Sequence, residues 1–290
     1  MRRTLDSVVA QTEHPTLWVI VDDGSTDETA DILAEYAATH SWIKVINKPD
    51  RGHRAVGPGV IEAFYYGLDT VDIDAYAYLC KLDLDLDLPP GYFAELMHRM
   101  EANPRIGTCS GKPYFLSPSG QKIPEKCGDE MSVGMTKFYR RECFQEIGGF
   151  VRAVMWDGID CHTARKLGWV AVSWPDAELQ FEHLRPMGSS QVSIYTGRRR
   201  HGAGQYYMGS DPLYFIATAI NRMRHPPYLL GGLATLQGYF GAMVRRAPRH
   251  EDEDLRAFIR GYQRRALIVG KSRAVAEIEA DKASLWEQSR

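Results

Sequence analysis

The chain has 290 residues, 44% of them hydrophobic and 25% charged. This excludes a disordered, collagenous or small disulfide-stapled protein and leaves one large α/β domain, or a domain with an appendage, at ~100–200 residues per domain. The 35 basic and 37 acidic residues give a net charge of −2, which argues against a nucleic-acid partner held by a global positive field.

The predicted elements follow in chain order. Residues 3–11 carry Leu5, Val8 and Val9 on one helical face. Leu17-Trp18-Val19-Ile20-Val21 is a continuous apolar run, as in a strand buried on both faces, and it ends in Asp22-Asp23-Gly24-Ser25. Gly24 supplies a turn, and Ser25 or Thr26 suits the cap of a helix that continues through Ile32, Leu33 and Tyr36. A strand over 42–46, a Gly/Pro-rich loop over 49–59, a helix over 60–68 and a strand over 76–82 complete a doubly wound α/β pattern. Short strands and hairpins are predicted over 105–135, helices over 139–147 and 159–167, and a strand over 169–174. A Gly/Arg-rich loop then runs from 186 to 209 before helices to the C-terminus.

Five cysteines (Cys80, Cys109, Cys127, Cys143, Cys161) are widely spaced, with no CxxC pair. Reduced thiols packed as small apolar groups in a cytoplasmic protein are therefore expected. No signal-peptide core follows Met1, and no uncharged apolar run reaches ~18 residues. Residues 228–244 (YLLGGLATLQGYFGAMV) come nearest, flanked by Arg222, Arg224, Arg245 and Arg246. They form either a packed helix or one lying at the inner face of a membrane, with its cations on headgroups.

In open α/β sheets the ligand sits beyond the carboxyl ends of the strands, where both Asp22-Asp23 and Asp83-Leu84-Asp85 fall. Asp83, Asp85 and Asp87 alternate, so an extended segment would place all three on one face. Such repelling charges need a cation or solvent; hard oxygens suit Mg²⁺ or Mn²⁺. Spacing alone leaves the alternative of an exposed acidic turn.

Three stretches then resemble family 2 glycosyltransferases with the GT-A fold: Val21–Thr29 (VDDGSTDET), Lys81–Phe93 (KLDLDLDLPPGYF) and Gly134–Phe150 (GMTKFYRRECFQEIGGF). The resemblance covers about residues 1–210, in order. It implies a mainly parallel, doubly wound sheet with helices on both faces, with a nucleotide-sugar half over about 1–88, an acceptor half over about 89–210, and a helical extension over 211–290. It implies inverting transfer from a UDP- or GDP-linked sugar to a hydroxyl of a glycan or lipid-linked acceptor, in cell-surface or extracellular polysaccharide synthesis. Asp22 and Asp23 would contact the nucleoside; Asp83 and Asp85 match the DXD positions, Asp85 as the direct ligand of Mn²⁺ or Mg²⁺. Asp87 falls outside that motif, solvated or capping the next helix.

The usual base lies in an EDxD-like pattern, matched here by Trp156-Asp157-Gly158-Ile159-Asp160, where Gly158 takes the base position. Asp157 is the expected base and Asp160 the second candidate, the latter also readable as a helix N-terminal charge. His183 is a candidate late metal or diphosphate contact, or a structural histidine. Arg198 and Arg200, in a degenerate form of the family's basic motif, and Arg54 in the loop after the second strand are candidates for the donor, with solvated basic loops as the alternative.

The family ordinarily opens with a buried strand, and this chain begins inside the helix that follows it. A start upstream of Met1 is the expectation; a shortened, non-catalytic nucleotide-sugar-binding subunit is the alternative. A nucleotidyltransferase of similar architecture is disfavoured by the absence of a Gly-rich basic phosphate loop.

Overall fold

A computed structural model describes residues 1–49, 52, 57–185, 193–225 and 227–288. They divide into two units: residues 1–152 with 172–185, and residues 153–171 with the described residues from 193 onward.

In the first unit the N-terminal stretch is α1 (Arg2–Val9), followed by β1 (Trp18–Asp22), α2 (Thr29–Thr39), β2 (Ile43–Asn47) and α3 (Pro58–Leu68). β1 and β2 pair in parallel, Trp18 opposite Ile43 and Asp22 opposite Asn47. Leu5, Ile20, Leu33 and Ile43, one from each of α1, β1, α2 and β2, form the buried cluster beneath them. Leu5 and Leu33 lie on the helical faces that the apolar spacing marks, whereas β1, expected to be buried on both faces, buries only Ile20 and Asp22 fully.

β3 (Tyr78–Leu82), β4 (Leu86–Asp87), α4 (Tyr92–Ala102), β5 (Ile106–Gly111), β6 (Pro113–Leu116), β7 (Lys122–Pro124), β8 (Thr136–Arg140), α5 (Arg141–Glu146), β9 (Val170–Trp174) and β10 (Phe181–His183) complete it. They build one sheet in the order β3-β8-β5-β9 and another in the order β4-β10-β6-β7. The α/β class with flanking helices is as expected, but the ladders are mixed. β8 runs antiparallel to both β3 and β5, because it returns from the β6–β7 hairpin without a crossover helix to restore its direction. The Gly-Gly-Phe turn after α5 is real. Gly148 and Gly149 have φ of 73° and 74°, and a Cβ on Gly149 would lie 2.4 Å from the Tyr65 hydroxyl. That hydroxyl accepts from the Phe150 amide at 2.7 Å.

The second unit contains α6 (Trp156–Lys166), α7 (Ile194–Met208), α8 (Pro212–Arg222), α9 (Tyr228–Val244), α10 (Glu253–Val269) and α11 (Lys271–Gln288). The expected Gly/Arg-rich loop over 186–209 is corrected here: its described part is helical from Ile194 to Met208, capped by Ser193 and closed by Gly209 at φ 86°. Its glycines are there for close packing. A Cβ on Gly202 would sit 2.0 Å from the Thr235 carbonyl oxygen, and one on Gly238 of α9 equally close to that of Arg199. Helix propensity lost at glycine is offset by the approach of two backbones. Tyr239, stacked on Phe215 at 4.4 Å between ring centres, fills the space beside the crossing.

Half-buried His201 on α7 is pushed down to about 4 by burial, then by the charges of Arg222 and Arg198. Arg198 and Arg222 are themselves lowered, chiefly by burial.

Two measurements test this packing. Gly202→Ala should cost about 2–3 kcal/mol in chemical denaturation, because the methyl meets a backbone carbonyl that cannot move alone. Gly261→Ala, helical and facing open space, should be neutral or stabilising by up to ~1 kcal/mol. The unfolded chain takes up a proton at His201 below pH 6.5 and the folded chain only near 4, so stability should fall as pH drops through that window. The loss is about 2 kcal/mol at pH 5, and His201→Gln should flatten that part of the profile.

Candidate functional site

Asp22 closes β1 and is buried; its Oδ1 accepts from the Ser25 amide at 2.9 Å and its carbonyl from the Lys48 amide at 2.8 Å. The turn thus engages one carboxylate oxygen of Asp22, and α2 begins only at Thr29, later than the motif suggests. Asp23 is more exposed and pairs with Lys48 Nζ at 2.8 Å. Both therefore stand at the carboxyl end of β1, as expected. Arg54 lies outside the described residues.

The acidic run after β3 is not one extended segment. The chain bends between Leu82 and Leu86, so the three carboxylates separate and each meets a different cation. Asp83 pairs with Lys81, a buried lysine whose Nζ also donates to the Gly134 carbonyl at 2.9 Å. Asp85 pairs with Arg185, and Asp87 with Arg3, which also holds Glu182. Asp87 is thus no helix cap: it is in β4, opposite Glu182 of β10, with a side chain that stays partly open to solvent.

Register brings His183 to the bend. It lies across from Leu86 in the β4–β10 ladder, and the Leu184 amide donates to the Asp85 carbonyl at 2.8 Å. His183 Nδ1 is 2.8 Å from Glu125 Oε2, and its Nε2 is 3.8 Å from Asp85 Oδ2. Burial alone would lower its pKa, but the hydrogen bond to Glu125 and the nearby charge of Asp85 outweigh it and push the imidazole up to about 9. Burial likewise opposes the charge of Asp85, yet His183 and Arg185 hold it below the usual carboxylate range. Three carboxylates (Asp83, Asp85, Glu125) thus face Lys81, Arg185 and His183.

Among the described residues no three His, Cys, Asp or Glu side chains are gathered closely enough to hold an ion as they stand. The donor types nevertheless fit one. Asp85 Oδ1 is buried and accepts no hydrogen bond, a state costing about 1–3 kcal/mol unless a ligand supplies the missing partner. Carboxylate oxygens and an imidazole are suitable donors for Mn²⁺ or Mg²⁺. Asp83, Asp85 and His183 are the residues that would hold it.

In the second unit Asp157 is partly exposed in the first turn of α6, whereas Asp160 is 2% exposed and accepts from the Cys161 amide at 2.7 Å. Gly158 is buried between them. Arg198 and Arg200 are half-buried on α7, and Arg198 Nε is buried without a hydrogen-bond partner.

Sequence reasoning missed four residues here. Lys81 already stands two residues before Asp83 in the quoted stretch, but Glu125, Arg185 and Arg3 are remote from it in sequence, and only the ladders, the bend and the docking of α1 bring them to the acidic run. Thr4 is a fifth: its Oγ1 accepts from the Leu86 amide at 3.0 Å, fixing α1 to β4.

The chain is similar to several known proteins. The curated poly-β-1,6-N-acetyl-D-glucosamine synthase of Staphylococcus epidermidis is 26% identical over 117 residues, 40% of this chain and 26% of that protein. The chain spans about a quarter of the length of the curated relatives it matches. Among solved structures, the mannosyltransferase PcManGT from Pyrobaculum calidifontis, in complex with GDP-Man and Mn²⁺, is 20% identical, with a TM-score of 0.49 over 99% of this chain and 83% of that one. GalNAc-T7 with UDP, GalNAc and Mn²⁺ is 14% identical, with a TM-score of 0.49 over 84% of this chain and 51% of that one. The model of glycosyl transferase family 2 matches residues 1–156, more than half of the sequence, and the chain belongs to that family.

Proposed function

We propose that this chain is an inverting glycosyltransferase that moves a sugar from a UDP- or GDP-linked donor to an acceptor hydroxyl on a glycan or lipid-linked saccharide. The observation that carries the reading is the buried, unsatisfied Oδ1 of Asp85 beside His183, at the end of β3 in a chain of this family. Polysaccharide assembly is favoured by the synthase it resembles, and a cell-surface or extracellular product completes the reading. In this reading residues 1–88 serve the donor, 89–210 the acceptor, and 211–290 form a helical extension.

Asp22 and Asp23 hold the nucleoside, and Arg198 and Arg200 offer guanidinium groups to the diphosphate. Asp157 takes the proton from the acceptor hydroxyl as its oxygen attacks the anomeric carbon. The bond from that carbon to the diphosphate oxygen breaks, and the pair of electrons leaves with the nucleoside diphosphate. Asp157 suits the base better than Asp160, because its carboxylate is reachable while that of Asp160 is buried against its own helix backbone. A divalent ion held by Asp83, Asp85 and His183 would act as a Lewis acid, neutralising charge on the leaving diphosphate.

The exposed stripe of α9 favours a membrane setting. Among the described residues no helix is long and apolar enough to cross a membrane. α9 nevertheless exposes Leu229 at 58%, Leu233 at 48% and Val244 at 78%, positions that share one helical face. Exposed Arg224 precedes the helix and Arg245 and Arg246 follow it. An apolar stripe with cations at both ends suits a helix lying flat in an anionic lipid surface.

Calorimetry with UDP and GDP tests the donor reading. Binding should require Mn²⁺ or Mg²⁺ and weaken at least ~100-fold in Asp85→Asn. Asp157→Asn should bind the nucleotide as the wild type does, with transfer slowed ~10²–10⁴-fold. Nucleotide binding with no transfer to any saccharide acceptor would instead mark a binding subunit. Vesicle flotation tests the stripe: the chain should float with phosphatidylglycerol-containing vesicles, less so in high salt, and Leu229→Glu/Leu233→Glu should abolish flotation. Dimers lost in the same variant without lipid would assign the stripe to a second copy.

A further inference from the structure

We propose that Glu125 is the residue that positions His183 for the divalent ion. The inference rests on the metal-site reading above and names a residue outside the acidic motif.

β10 has a neighbour on each side, and His183 is its last residue. On one side β4 carries the bend with Asp85. On the other, β6 pairs in parallel with β10, Phe181 opposite Pro113, and the Glu125 amide donates to that same Pro113 carbonyl at 2.9 Å. Two independent strand pairings thus bring Asp85 and Glu125 to opposite edges of one imidazole. Glu125 takes Nδ1 at 2.8 Å, which leaves Nε2 facing Asp85. The 3.8 Å between Nε2 and Asp85 Oδ2 is too long for a hydrogen bond. It is within the ~4.2 Å that can separate two donors on one Mg²⁺, at ~2.1 Å each.

Glu125 is 6% exposed at its side chain. Burying a carboxylate there carries a desolvation cost that a surface ion pair would avoid. An imidazole ring left without a partner on Nδ1 can turn over about its broad, two-fold χ2. Held by a carboxylate, it keeps one nitrogen for the ion, as metal-binding histidines do when their other nitrogen donates to an outer carboxylate.

The test is Mn²⁺ binding by the full chain, read from the loss of the free-ion signal in electron paramagnetic resonance, with circular dichroism to verify folding. Glu125→Ala should weaken binding ~10–100-fold. Glu125→Gln, which still offers an acceptor to Nδ1–H, should fall between the two. Glu125→Ala should add little to His183→Ala, because both changes remove the same contribution. If the wild type binds Mn²⁺, and Asp85→Asn abolishes it while Glu125→Ala and Glu125→Gln leave affinity unchanged, the Glu125 proposal is overturned and the metal site stands. If Asp85→Asn binds as the wild type does, the metal-site reading fails and takes the proposal with it.

Discussion

Three carboxylates within five residues repel one another and need cations or solvent, and in the first unit each of them meets a cation. Lys81 answers Asp83 from the preceding strand, Arg185 and His183 answer Asp85 from beyond and within β10, and Arg3 answers Asp87 from the first helix. Elements far apart in sequence are thereby drawn to one bend. Such pairs repay little more than the cost of desolvating them, so their weight in stability is small. Their structural consequence is larger, because they balance the charge and still leave one buried oxygen of Asp85 without a donor.

The second unit is held by a different means. α7 and α9 touch through glycines, so their contact is backbone against backbone and tolerates no added carbon at Gly202 or Gly238. This close approach turns the small-residue face of α9 inward and leaves Leu229, Leu233 and Val244 outward. A helix without charge along 17 residues therefore has a buried face made of Gly, Ala, Thr and Tyr and an exposed face made mainly of larger apolar side chains, with Gln237 among them. Ordinary amphipathic helices place their large apolar side chains the other way. The same crossing crowds Arg198, His201 and Arg222, whose charges disfavour one another.

Asp157 and Asp160 show how neighbours of the same type acquire different surroundings. One turn of α6 separates them, yet Asp160 is closed into the helix packing and Asp157 is partly open. A carboxylate that must accept a proton from a substrate needs access first and basicity second. Gly158, buried between them, supplies no group at the position where the family's pattern places a carboxylate.

By itself the sequence determined the α/β class, the strands carrying Asp22 and Lys81, the Gly-Gly-Phe turn and the family, because these depend on local apolar period, on turn chemistry and on contiguous motifs. It also marked Asp83 and Asp85 as a pair worth charge compensation. It could not show that the acidic run bends, that residues 194–208 are helical despite Gly197, Gly202 and Gly204, or that α9 turns its large side chains outward. Those outcomes follow from contacts between segments remote in sequence, which override local propensity. Glu125, Arg185 and Arg3 carry no motif, and only the β4–β10–β6 pairing and the docking of α1 on β4 place them around Asp85 and Asp87. Register is a tertiary property: a one-residue slip in β10 would turn His183 to the other face of its sheet and leave Asp85 with a different neighbour.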